Sequence, residues 1–403
     1  MKFALQFAGH SPEEGGGHTF ETEIITAWLK AHNRHEVYFC SHHRTLPKAL
    51  EHLGSRYIST CPGGFERCLW KFEKERRRLF RGLGWRSLPP FPSVSSLIAA
   101  GRLRREGIRL VWHLSQWATP VLEMPYAMTI WDLQHRLQPY FPEVSAEGNW
   151  DIREKHFRSA IQRASIIITG TRRGKREIEH FYGVDADRVH VIPLPTPSFA
   201  IAKENDSDRA SLHSLKLPNR FFFYPAQFWS HKNHIVLLRA LQLLRNRHEE
   251  APAIVFVGSD HGNLAHVKAT AAKLGVSDLV FFLGYVSHAQ LKALYRQASA
   301  LTFPSYFGPD NLPPLEAFAL GCPVIAADVP GAEEQLGDAA LRVPASSEEA
   351  FADAASRILQ DASLRQALID KGKARAKQVT AADYINQMSA ILDEFEYITR
   401  CWP

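Results

Sequence analysis

Short hydrophobic runs alternate along this chain with stretches whose apolar residues recur every three or four positions, a pattern that predicts β-strands alternating with amphipathic helices. In the first half the strands are expected at KFALQFA, EVYFC, IRLVWHL, YAMTIW, SIIITGT and RVHVIPL. Strands separated by helices imply a mainly parallel sheet. PLPTPSFAIAKENDSD then interrupts the pattern with three prolines and a polar stretch, which places a domain linker near 193–215. Beyond it the grammar restarts: RFFFYPA, a helix from about 232, AIVFVGS, a helix over 263–274, LVFFLGY, a helix over 288–297, ALTFPS, a helix over 312–320, PVIAAD, LRVP and a helix from about 346. The expectation is an α/β protein with two tandem Rossmann-like domains, 1–195 and 196–380, facing each other across a cleft. A last amphipathic stretch, about 381–398 within 381–403, can pack on either domain, including back on the first.

Length agrees with this division, because 403 residues exceed one ordinary core. No run of about 18 apolar residues exists, and MKFALQFAGHSPEE holds too short an apolar stretch for a signal peptide, so the expected location is the cytoplasm. Cysteines 40, 61, 68, 322 and 401 are scattered, with no Cys-x-x-Cys, which suits a reducing compartment and argues against structural zinc. The formal net charge of +6 is uneven. Segment 67–109 alone carries 12 Lys and Arg against 3 acidic residues, or +9.

Three loops carry candidate chemistry, each after a strand. AGHSPEEGGGHTF puts Gly16 and Gly17 at the head of a helix, where backbone N–H groups can close on a phosphate or carboxylate. It is neither Gly-x-Gly-x-x-Gly nor a Walker loop, and a plain turn fits it too. YPAQFWSHKNH places Lys232 where a cation can neutralise a departing diphosphate, although a solvated helix-start lysine reads the same. PSYFGPDNLPPLEAFALG predicts a helix starting near 312, with Asn311 as its cap and prolines tolerated in its first turn. Its N–H groups and Glu316, one turn in, could hold a phosphate and a ribose diol; an ordinary first-turn glutamate is the competing reading.

Together the three loops resemble glycosyltransferase family 4, the retaining enzymes of the two-Rossmann GT-B fold, and the resemblance covers nearly the whole chain. FPSYFGPDNLPPLEAFALGCPVIAADVPGAEEQLGDAALRV carries it most strongly, looking like that family's donor-binding segment around a Glu-x7-Glu motif. TIWDLQHRLQPYFP, IIITGTRRGKREIEHFYGVDADRVHVIP and FLGYVSHAQLKALYRQASALTFPS are also similar. The resemblance implies that Glu316 binds the nucleotide ribose and Lys232 the diphosphate. It also implies that N–H groups of Asn311 and Leu312 help hold that diphosphate, and that Tyr285 and Val286 touch the base. Two positions depart from the pattern. Gly308 stands where the first glutamate belongs, leaving Asp310 to take over its sugar contact or the sugar to be held differently, and Gln227 stands where an arginine belongs. Trp131 occupies the usual histidine position beside Asp132, so Asp132 and His135 are expected to line the sugar and acceptor.

The implied reaction is transfer of mannose or a similar hexose or deoxyhexose, with retention, from a nucleotide-diphosphate sugar to a polysaccharide or lipid-linked glycan. No cofactor or metal is needed, and Asp185-Ala-Asp187 precedes a strand as a surface turn rather than forming a metal motif. His42, His43, His231 and His234 read as scattered surface residues. LWKFEKERRRLFRGLGWRSLPPF, with Arg76, Arg77, Arg78 and Arg81, suits an anionic bilayer at the inner face of a membrane, and a solvated helix suits it as well. No motif supports nucleic acid as its partner. The rival functions are a non-catalytic sugar-nucleotide-binding module and a sugar-nucleotide epimerase; the latter needs acid–base residues on both faces of the sugar.

Overall fold

The computed structural model describes residues 1–11, 15–42, 48–61, 94–117, 123–202, 217–247 and 251–401. The basic segment with Arg76, Arg77, Arg78 and Arg81 lies outside the described residues, as do His43 and most of the linker. The described residues form two all-parallel sheets. The first contains β1 (Lys2–Gln6), β2 (Glu36–Ser41), β3 (Tyr57–Ser59), β4 (Leu110–His113), β5 (Tyr126–Thr129), β6 (Ile166–Thr169) and β7 (Val189–Val191), in the order β3-β2-β1-β4-β5-β6-β7. The second contains β8 (Phe221–Pro225), β9 (Ala253–Val257), β10 (Val280–Phe282), β11 (Ala300–Phe303), β12 (Val324–Ala327) and β13 (Ala340–Val343), in the order β10-β9-β8-β11-β12-β13. Strand order reverses beside β1 and beside β8, and open α/β sheets hold ligands at such crevices. The three candidate loops leave β1, β8 and β11.

The inner strands β4, β5, β6, β9, β11 and β12 are buried throughout because helices cover both faces. Phe3 and Leu5 of β1 point into one core with Phe20, Ile24, Ile25 and Trp28 of helix Gly16–Lys30, whereas Ala4 points into another with Ala99, Ala100, Phe157 and Ile161. Helix Ala381–Ile398 belongs to the first of these cores. Tyr384, Ile385, Met388, Leu392 and Phe395 form its buried stripe, and Tyr384 stacks on Trp112 with ring centroids 6.2 Å apart. Thr380 and Asp383 close a capping box at its start. Along its far half, Asp393 accepts from Arg34 and His35, and Arg109 donates to Thr399 O at 2.7 Å. The chain therefore crosses between sheets twice, and the crossings are tied: Thr196 N donates to Val379 O at 3.0 Å and Thr196 Oγ1 to Ala376 O at 2.7 Å.

Two expectations change here. The helix from about 346 is two helices, Glu348–Gln360 and Ala362–Ala376, because the Asp361 side chain accepts from Leu364 N and starts a new one. His234 is no surface residue. It is fully buried between Phe228 and Tyr224, and burial brings its pKa down to about 3.

Candidate active site between the two sheets

The strand ends of both sheets face one another around a cavity of about 370 Å³. Gly15, Gly16, Gly17 and Trp131 line it from the first domain; Gln227, Lys232, Tyr285, Val286, Asp310, Asn311, Leu312 and Glu316 line it from the second. The sides meet at Gly16, where an added Cβ would stand 3.7 Å from Leu312 Cδ1. Behind the glycines, Glu21 accepts the N–H groups of Ala8 (2.7 Å) and Gly9 (3.1 Å) and so fixes the exit of β1. Its burial raises its pKa.

Lys232 ends a short 3₁₀ turn after β8, held because Asn233 takes a left-handed conformation and its amide donates to Pro304 O and Ala345 O. The ammonium lies 5.6 Å from the Phe303 ring centroid and pairs with none of the described carboxylates. Burial lowers its pKa to about 8, with Asp132 and Glu143 opposing. Gln227 is oriented by Trp229, whose Nε1 donates to Gln227 Oε1 at 3.0 Å. It is polar but brings no charge to the cavity wall.

Helix Leu312–Leu320 begins at the residue expected, with prolines in its first turn. Asn311 does not cap it. Its amide turns back to donate to Gly308 O at 2.6 Å, closing the loop. That bond accounts for glycine at 308: φ is +113°, and a Cβ would lie 2.6 Å from Asn311 Nδ2. A carboxylate side chain there would strain the backbone and push the Asn311 amide aside. The N–H of Asn311 is also committed, donating to Gln335 Oε1 at 2.9 Å, so of the two expected diphosphate donors only Leu312 N–H is open among the described residues. Glu316 is nearly buried, accepts from Tyr295 OH at 2.7 Å, and burial lifts its pKa to about 7. Asp310 also rises to about 7, through burial first and then the charges of Glu334 and Asp132.

His135 is not where the sequence reading puts it, and Asp132 stands beside the cavity, near enough for its charge to act on Lys232 and Asp310. Asp132 lies outside the cavity wall, accepting from Gln116 Nε2 and Gln134 N at 3.0 Å each, beside a narrow crevice with Phe307 and Pro309. His135 is fully buried. Its ring stacks on Phe157 and Nε2 lies 3.3 Å from both Glu154 and the Tyr182 hydroxyl, so it supports the loop instead of lining the sugar. Trp131 faces the cavity in their place, its ring edge-on to Phe20 at 6.0 Å. His231 bridges the domains: its N–H donates to Glu143 Oε1 at 3.0 Å, and Nδ1 lies 2.5 Å from the same oxygen. Asp185 accepts from Asp187 N and forms the expected turn. Glu21, Trp131 and Glu143 were missed as site residues; Glu21 could have been found as the one carboxylate on an otherwise apolar helix face.

Residues 208–375 match the family model for glycosyl transferases group 1. A D-inositol 3-phosphate glycosyltransferase of Nocardia farcinica is 31% identical over 219 residues, covering 52% of this chain and 48% of that protein. An O-antigen chain mannosyltransferase B of Escherichia coli is 27% identical over 241 residues, covering 59% and 62%. The chain thus spans about half to three fifths of the length of these relatives. A sucrose-phosphate synthase structure from Thermosynechococcus elongatus superposes with a TM-score of 0.74 at 18% identity, covering 99% of this chain and 100% of the other. Anabaena HepE in complex with UDP-glucose gives 0.72 at 15%, covering 98% and 100%. The second domain is thus similar to the group 1 glycosyl transferases over residues 208–375, and over its length the chain has the two-domain GT-B fold.

Proposed function

We propose that the protein transfers a hexosyl or deoxyhexosyl group, mannosyl first among them, from a nucleoside-diphosphate sugar to a glycan or lipid-linked glycan with retention of configuration. The carrying observation is the cavity that joins Lys232, the open Leu312 N–H and Glu316 at the switch point of the second sheet. In this reading the base lies by Tyr285 and Val286, Glu316 accepts from the ribose hydroxyls, and Lys232 with the helix N-terminus stabilises the diphosphate. The anomeric C–O bond to phosphate breaks, the acceptor hydroxyl bonds to the same face, and its proton passes to the departing phosphate oxygen. Trp131 and the glycine loop close the cavity on the sugar side. The charge on the leaving group is assigned to Lys232 and backbone, so the reading requires no divalent cation.

The test is thermal stabilisation by UDP-, GDP-, ADP- and dTDP-sugars in EDTA, followed by release of nucleoside diphosphate with glycan acceptors. A ligand at 100 times its dissociation constant stabilises by about 2.7 kcal/mol, which a melting curve resolves. Stabilisation by one nucleotide, lost in Glu316→Ala, supports the reading. Stabilisation without turnover on any acceptor favours a binding module, a reading that the missing carboxylate at Gly308 supports.

A further inference from the structure

Glu334 and Gln335 sit on a five-residue helix, Ala332–Leu336, that touches both halves of the cleft. The Glu334 carboxylate reaches the first domain: Oε2 accepts Arg172 N–H at 2.7 Å and Oε1 accepts Arg173 N–H at 2.8 Å. Both donors stand at the head of helix Arg172–Tyr182, have no partner within that helix, and lie where the helix dipole favours an anion. Gln335 faces the other way and accepts the Asn311 N–H at the start of Leu312–Leu320. Gly331, the residue before this short helix, is wedged between the two: a Cβ there would lie 2.9 Å from Cβ of Arg173 and 2.9 Å from Cβ of Pro309. Arg375 holds the helix to its own domain, donating to the carbonyls of Glu334 and Gln335.

We propose that this short helix is a strut that couples closure of the cleft to the shape of the 308–312 loop. Glu334 and Gln335 are positioning residues in this scheme, and the loop half of the inference rests on the cavity being the nucleotide-sugar site. With the cleft closed, Glu334 satisfies two backbone donors of the opposite domain, and Gln335 holds Asn311 so that Leu312 N–H stays turned to the cavity. Opening the cleft breaks the Glu334 bonds, frees the strut, and loosens the loop that receives the diphosphate.

The test compares Glu334→Ala, Glu334→Gln and Gln335→Ala with wild type by small-angle scattering without ligand, and by titration with UDP and GDP. Far-UV circular dichroism identifies any variant that fails to fold. Glu334→Ala is expected to raise the radius of gyration, and Glu334→Gln, which keeps one acceptor oxygen, to fall between. Gln335→Ala is expected to leave the scattering unchanged yet weaken binding of the nucleotide by five- to tenfold, raising donor KM with kcat within twofold. The double variant Glu334→Ala/Gln335→Ala is expected to lose less than the product of the single losses, since both act through one strut. Scattering of Glu334→Ala that superposes on wild type, or losses that multiply, would overturn the proposal. Scattering needs no nucleotide, so it judges the latch even if neither UDP nor GDP binds wild type, a result that counts against the donor reading instead.

Discussion

Lys232 and Glu316 sit where burial opposes their charges, and each makes a different pH dependence. Lys232, brought down to about 8, is an ammonium below that pH and an amine above it. Affinity for a nucleoside diphosphate should therefore fall as pH rises through 8, by up to tenfold per unit until the bound-state pKa is reached. Lys232→Arg, which stays charged, should flatten that limb; an unchanged midpoint by isothermal titration would reassign it. Glu316 moves the other way, up to about 7 in the folded protein from near 4.5. A raised carboxylate gives stability that is fully present below about 4.5 and lost as pH climbs through 7. Glu316→Gln should hence be more stable than wild type at pH 8 by about 2–3 kcal/mol, and match it near pH 4.5, in urea unfolding. The same variant should bind nucleotide more weakly, because an amide replaces a charged acceptor for the ribose hydroxyls.

At the scale of elements, strong periodicity was readable and loop chemistry was not. Helices 288–297, 312–320 and 381–398 end where the pattern ends, because their caps or breakers lie next to the apolar stripe: Ser287 with Gln290, Gly321, and Thr380 with Asp383. β3 escaped because Tyr57–Ser59 is three half-buried residues paired only to β2. His135 misled because chain position puts it beside the cavity, while its side chain turns inward to Glu154 and Tyr182; direction is a tertiary property. Asn311 reads as a cap in isolation, yet its amide and its N–H answer to Gly308 and Gln335, the latter 24 residues away. The closing helix gives a prediction at this scale. Leu392→Ala, at a site fully buried in the first domain's core, should cost about 2–5 kcal/mol by chemical denaturation. Glu394→Ala, on the exposed side, should stay within about 0.5 kcal/mol. Equal effects would mean that the helix does not seal the first domain.

For the whole molecule, charge is the property that neither fold nor cavity explains. Net charge is +6 and residues 67–109 contribute +9, so the rest of the chain sums to −3 and cannot draw the protein to an anionic surface by itself. Among the described residues no helix is long and apolar enough to cross a membrane, and peripheral attachment to lipid needs a basic face. We propose that the basic, aromatic-rich segment supplies it, delivering the cleft to lipid-linked acceptors. Near an anionic bilayer each cation is worth about 1 kcal/mol and the attraction fades over a Debye length of about 10 Å at 0.1 M salt. Reversing Arg76, Arg77 and Arg78 to Glu should thus lower partitioning onto vesicles of 30 mol% (about the anionic share of an inner leaflet) phosphatidylserine by at least 100-fold, and raised salt should do the same to wild type. Turnover on a short soluble acceptor should be unaffected, since the reversal leaves Lys232, Leu312 and Glu316 as they are. Sedimentation that ignores both the reversal and the salt would remove the membrane from the account and leave a soluble glycan as the acceptor.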